Sequence, residues 1–178
     1  MLNWFKQKAK ALFSSSDKIL LSRQKRGSKK TTSSTSAVPY NPNLVPLLKI
    51  EHQQLLSSYK TILIALEKQE FLQMSQQLNE FDQLLRKHLL KEHVELYVYL
   101  EYTLMKGTQA FDKMHQLRLE MEQISSNIMA FLNVYQAMPV NFVTAAEFKR
   151  NFEQIGEILN KRISREETIL YPLYKKAE

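Results

Sequence analysis

From Leu44 onward, apolar residues return every three or four positions, which is the period of an amphipathic α-helix rather than of a strand. The stretch from Leu84 to Leu100 shows the pattern well, with Leu85, Leu89 and Leu96 in the series. Similar stripes continue along the chain and predict four long helices, at about 44–66, 71–104, 108–138 and 144–171.

Short connections separate these predicted helices. Gly107 is expected to end the second helix and Pro139 the third, while Thr144 with Glu147 three residues later matches a capping box at the start of the fourth. Only 3 glycines and 5 prolines occur in 178 residues, which also favours helices. The pattern therefore predicts an all-α fold, an up-down-up-down four-helix bundle over 44–178.

The charge is distributed unevenly between this bundle and the segment before it. Residues 1–30 carry nine Lys or Arg and one Asp, a net charge of +8, although the whole chain carries only +7. The remainder is therefore close to neutral at −1, which argues against nucleic-acid binding by the bundle. Residues 15–43 are rich in Ser, Thr and Lys, so 1–43 is interpreted as a basic and largely flexible N-terminal segment.

Residues 2–14 form the one amphipathic part of that segment and are predicted to form a short helix. Trp4 and Phe5 stand among Lys6, Lys8 and Lys10, a composition suited to an anionic membrane surface or a protein partner. The few acids and many basic and serine residues also resemble an organelle-targeting presequence. The third interpretation is a basic tail without a specific role.

Composition excludes several classes of protein. The chain has no cysteine, so disulfides, iron–sulfur ligation and thiol catalysis are ruled out, and any metal must be held by His, Asp, Glu or Tyr. No apolar run approaches the roughly 20 residues of a membrane span, and no secretory signal pattern is expected. We expect a cytoplasmic protein, with peripheral attachment to the inner face of the membrane as an option for the N-terminal segment.

Candidate chemistry lies inside the predicted bundle. His88 and Glu92 are four residues apart, so they share one helix face, as metal ligands or as a surface ion pair. Counting about 1.5 Å per residue from the connections, His52 comes level with His88, and His115 comes level with Glu166. The levels of Glu92 and His115 agree less well, at about 14 and eight residues from their shared connection. One such residue per helix at roughly one level predicts a metal site in the core.

Four segments, one in each predicted helix, resemble the hemerythrin-like (HHE) cation-binding family: KIEHQQL, HLLKEHVELY, MHQLRLEMEQI and RISREETILYPL. The family pattern is a lone His, His-x-x-x-Glu, another lone His, and His-x-x-x-Glu-Glu followed by two spacers and Leu-aromatic-Pro. The resemblance covers about 44–175. It implies a non-haem di-iron centre with Glu92 and Glu166 as bridging carboxylates and a ligand set of His52, His88, Glu92, His115 and Glu166. A single iron at these residues is the alternative.

Two positions depart from the family pattern. Arg162 replaces the fourth-helix His, and a guanidinium stays protonated and cannot donate a lone pair to a metal. We expect Arg162 to pair with Glu166 or to place its own charge in the space of a second metal. His93 replaces the second Glu of the second helix, but it points about 100° away from Glu92, so it is not expected to substitute as a ligand.

Two functions remain open at this point. The resemblance implies a non-enzymatic iron-binding protein with an incomplete di-iron site, which senses O₂, NO or redox state or handles iron or oxygen. The alternative is a metal-free bundle that acts as a protein-interaction or membrane-associated regulatory module. A di-iron oxidase-like enzyme fits less well, because such enzymes place more Glu and fewer His around iron. Several tyrosines are expected to pack at one end of the bundle: Tyr97, Tyr99, Tyr102, Tyr171 and Tyr174.

Overall fold

The computed structural model describes residues 38–138 and 140–177. Within these ranges every regular element is helical, so the predicted all-α class is confirmed. The predicted helix over 2–14 lies outside the described part of the chain. The same holds for the residues proposed to contact a membrane or a partner: Trp4, Phe5, Lys6, Lys8 and Lys10.

The first two rods of the bundle match the predicted helices closely. α1 is Leu44–Glu67. α2 begins as Phe71–Lys91, continues through the π-helix Glu92–Tyr97 and ends in the α-helical turn Val98–Thr103. Gly107, with φ at +83°, reverses the chain after α2, in a backbone region that other residues rarely adopt.

The last two rods begin differently from one another. α3 is Gln109–Ala137, and the Thr108 hydroxyl caps it by accepting a hydrogen bond from the Phe111 N–H at 3.3 Å. α4 begins as Ala145–Arg165, continues through the π-helix Glu166–Leu170 and ends in a 3-10 turn at Tyr171–Leu173.

The capping box predicted at the start of α4 is wrong. Thr144 has a helical backbone, with φ −96° and ψ −10°, whereas a capping residue is normally extended. Its hydroxyl oxygen accepts a hydrogen bond from the Asn141 N–H at 3.0 Å instead. The Thr144 side chain therefore stabilises the connection before α4 and makes no capping hydrogen bond to the helix.

Neighbouring rods run antiparallel, as predicted. Glu67 at the end of α1 pairs with Lys149 near the start of α4. At the other end of the bundle, the Asn41 N–H before α1 donates to the Tyr174 hydroxyl after α4 at 2.9 Å. Each helix therefore returns along the one before it, which brings the midpoints of α1, α2 and α4 to one level.

The core changes character along the bundle. Around the first connection it is aromatic, with four fully buried rings: Phe81, Phe131, Phe148 and Phe152. Around the start of α1 and the end of α4 it consists of leucines and tyrosines with Met114, including Leu48, Leu96, Leu100 and Leu170. A short polar layer lies between these two apolar parts. None of the described helices is long and apolar enough to cross a bilayer.

Candidate metal centre

The polar layer is built from positions that the helix period turns inward. On α2 the buried positions alternate at intervals of four and three, through Leu78, Phe81, Leu85, His88 and Glu92. His88 and Glu92 thus occupy two consecutive core positions, where a leucine would otherwise stand. They are 3% and 1% exposed, which excludes the surface ion pair that their spacing alone had left open.

His52 on α1 is held from outside the core by a carboxylate. Its Nδ1 lies 2.8 Å from Glu167 Oε1, and its Nε2 lies 3.1 Å from Glu166 Oε2 in the interior. Since a carboxylate only accepts, the Nδ1 contact calls for a proton on that nitrogen. Burial lowers the pKa of His52, but the hydrogen bonds with Glu166 and Glu167 outweigh it and raise the pKa above its ordinary value.

His88 repeats this arrangement from the neighbouring helix. Its Nδ1 lies 3.1 Å from Glu51 Oε2, while its Nε2 faces inward, 3.9 Å from Glu92 Oε2. Lys91 holds Glu51 in turn. Burial, followed by the proximity of His52, lowers the pKa of His88, so its ring is neutral near pH 7. A neutral imidazole backed by a carboxylate is the usual state of a metal-binding histidine.

Both interior carboxylates are the first residues of π-helices. Glu92 opens the π-helix of α2 and Glu166 opens that of α4, and each side chain is nearly inaccessible to solvent. A π-helix inserts one extra residue into a turn, and such turns are frequent at functional sites. Burial, and then repulsion from Glu166, raise the pKa of Glu92 well above its ordinary value.

One atom from each of four side chains points into the same small space. The ligand-capable atoms of His52, His88, Glu92 and Glu166 all lie within 4.8 Å of one another. Among the described residues, Glu92 Oε2 is a buried oxygen without a hydrogen-bond partner. An unpartnered buried carboxylate oxygen is costly, and a cation would compensate it. Two imidazole nitrogens and two carboxylate oxygens therefore fit a divalent or trivalent transition metal.

Arg162 borders the same space from α4. Its Nε donates to Glu166 Oε1, its Nη1 donates to the Leu117 carbonyl at 2.9 Å, and its Nη2 donates to the Tyr97 hydroxyl at 2.6 Å. The expected pairing with Glu166 is thus present, and the guanidinium is only 3% exposed. Burial raises the pKa of the Glu166 carboxyl, but the His52 hydrogen bond and the Arg162 charge outweigh it and lower that pKa.

The family model for the hemerythrin HHE cation-binding domain matches residues 43–174, which is most of the chain. The chain belongs to the hemerythrin HHE cation-binding family. Comparison with curated proteins gives no match, and comparison with solved structures gives none either. The family assignment confirms the predicted resemblance, and it supports cation binding at the layer described above.

One residue of the predicted hemerythrin-like ligand set is not brought to this layer. His115 on α3 is exposed, with its ring near that of Phe111. The buried positions of α3 here are Met114 and Leu117, about 100° and 200° around the helix from His115. The structure thus corrects the expectation for His115, because the helix rotates its side chain away from the core. α3 contributes only the Leu117 carbonyl, which binds Arg162.

His93 also lies outside the layer, since its side chain is exposed. It was not expected to replace a ligand, and the structure does not bring it to the other donors. The four remaining members of the predicted hemerythrin-like set do come together, each with its side chain buried: His52, His88, Glu92 and Glu166.

Two of the tyrosines that were expected to pack at the bundle end, Tyr97 and Tyr171, do belong to the buried cluster there, and their hydroxyls also reach this layer. The Tyr171 hydroxyl donates to Glu92 Oε1 at 3.0 Å and lies 3.2 Å from His52 Nε2. Tyr97 accepts from Arg162, as described. A signal for both was present in the sequence, because each tyrosine follows an interior glutamate by five residues. Tyr99 and Tyr174 do pack together at the end of the bundle, whereas Tyr102 is exposed.

Proposed function

We propose that this hemerythrin HHE domain binds iron through His52, His88, Glu92 and Glu166. One observation carries the proposal: both histidines are held at Nδ1 by carboxylates, so that each Nε2 faces an interior carboxylate oxygen. His88 Nε2 lies 3.9 Å from the unpartnered Glu92 Oε2, and His52 Nε2 lies 3.1 Å from Glu166 Oε2. Mixed imidazole and carboxylate donors suit iron, whereas the absence of thiolates leaves no preference for softer ions.

The protein is proposed to act as a sensor or carrier rather than as an enzyme. Iron in such a site supplies reversible binding of O₂ or NO, or a change of oxidation state. Glu51 and Glu167 orient the histidines, and Arg162 stabilises the negative charge of Glu166. The surrounding core excludes water from the layer. The described site has only two interior carboxylates, fewer than di-iron oxidases use.

The iron content of freshly purified protein, measured by mass spectrometry after growth with added iron, tests this function. We expect about stoichiometric iron in the wild type and a large loss in His88→Gln, which removes an inward-facing imidazole. His93→Gln and His115→Gln are matched controls, because both rings are exposed. Iron far below one ion per chain in the wild type would contradict the proposal.

A second candidate function is a metal-free interaction module, and Arg162 is the observation that favours it. Its guanidinium already neutralises Glu166 and is held on three sides, which is how a buried ion pair persists without a metal. Such a module would dock a partner through the bundle surface while the basic N-terminal segment attached it to the inner face of a membrane. Partner binding by Arg162→His would then equal that of the wild type.

A further inference from the structure

Each interior carboxylate has one oxygen engaged by another side chain of the protein. Glu166 Oε1 accepts from Arg162, and Glu92 Oε1 accepts from Tyr171. The remaining oxygens face the two histidines: Glu166 Oε2 lies 3.1 Å from His52 Nε2, and Glu92 Oε2 lies 3.9 Å from His88 Nε2. Each carboxylate therefore keeps one oxygen that is engaged by no side chain outside the proposed ligand set.

This division matters because a carboxylate that bridges two metal ions commonly binds one ion with each oxygen. A second ion at Glu166 Oε1 would lie against the buried guanidinium or displace it, and one at Glu92 Oε1 would compete with the buried phenol for that oxygen. Release of Arg162 would leave its charge buried and unpaired, which is strongly unfavourable. The hydrogen bonds therefore favour terminal carboxylate ligands over bridging ones.

The positive charge of Arg162 also disfavours a second metal ion beside Glu166. Arg162 precedes Glu166 by four residues, as His88 precedes Glu92. The Arg162 guanidinium therefore occupies the same position relative to Glu166 on α4 that the His88 imidazole occupies relative to Glu92 on α2. Three hydrogen bonds fix it, including those to Tyr97 and to the Leu117 carbonyl. A second metal ion would meet a fixed positive charge and find no donor from α4 at this position.

We propose that the site holds a single metal ion and that Arg162 serves as its permanent second cation, with Tyr171 and Arg162 restricting the two carboxylates to one metal contact each. This inference rests on the proposed iron binding and refines it to a stoichiometry. It replaces the bridging roles that the family resemblance implied for Glu92 and Glu166.

Two measurements on the full-length protein test the inference together. Mass spectrometry gives iron per chain, and electron paramagnetic resonance of the oxidised protein separates an isolated high-spin ferric ion, which is visible, from a coupled ferric pair, which is silent. We expect one iron per chain with a matching signal in the wild type. Arg162→His should raise the iron content toward two and diminish the signal per iron.

Matched variants distinguish a ligand effect from a disturbed core. Arg165→His changes an arginine three residues further along, which pairs with Glu120 at the surface, and should leave one iron per chain. Arg162→Met removes the charge without adding a donor, and should not raise the iron content above one. If Arg162→His fails to fold, the iron content and the resonance signal of the wild type still test the single-ion inference.

The contradicting outcomes are separate for the two proposals. Two irons per chain with a silent pair in the wild type would overturn the single-ion inference while supporting iron binding. An iron content unchanged by a folded Arg162→His protein would overturn the role of Arg162. No iron in the wild type would overturn the proposed function and this inference with it.

Discussion

At the scale of single residues, the site depends on side chains that hold other side chains. Glu51 and Glu167 lie outside the ligand cluster, yet each binds the Nδ1 of a histidine and so turns the Nε2 inward. Partners of this kind fix the tautomer and the ring orientation of metal-binding histidines. The family pattern predicted the four donors, but Glu51 could not be identified from it, because its role depends on α1 and α2 lying side by side.

Replacing Glu167 tests this holding role. Glu167→Ala removes the acceptor at His52 Nδ1 and is expected to weaken iron binding about 10–100-fold, measured by titration against a competing chelator. Glu153→Ala is the matched control, since Glu153 is an exposed glutamate on the same helix. Equal affinities in the two variants would mean that Glu167 does not orient His52.

At the scale of elements, the face that each helix buries distinguishes the histidines. His52, His88, Glu92 and Glu166 all fall on the buried stripe of their helices, while His115 falls off that of α3. The poorer level of His115 across the connection at Gly107 concerned its height along the bundle, whereas its exposure results from the rotation of α3. The two π-helices had no comparable signal, since one inserted residue leaves the local composition unchanged.

The connection at Gly107 gives a test at this scale. Gly107→Ala would place a Cβ in the left-handed region, with φ near +83°, and is expected to lower the free energy of unfolding by about 1–2 kcal/mol. The space around that Cβ is open, so the effect would come from the backbone alone. Denaturant unfolding checks it. Gly107→Asn should cost less, since asparagine tolerates this region, and equal costs for both would contradict the explanation.

At the scale of the whole molecule, the chain combines a nearly neutral bundle with a basic N-terminal segment. Residues 1–30 carry a net charge of +8, which exceeds the +7 of the whole chain. Attraction to anionic lipid should therefore come from that segment and weaken as salt is added. The bundle supplies its own core and is expected to fold without it.

Removal of residues 1–30 is therefore expected to abolish binding to anionic vesicles and to leave the melting temperature of the bundle unchanged. Cosedimentation with liposomes and thermal unfolding by circular dichroism measure the two effects. Neutral vesicles provide the control, because they should not bind either protein. Undiminished sedimentation of the truncated protein with anionic vesicles would end the membrane interpretation.

The sequence by itself determined the four helices, their order and the inward positions of two histidines and two glutamates, because helical periodicity is a property of the local chain. Only the tertiary structure decided the rest. It turned His115 to solvent, brought Tyr97 and Tyr171 across to the opposite helices, and surrounded Arg162 with three acceptors. These outcomes depend on how each helix is rotated and how closely it packs against its neighbours, which no single helix specifies.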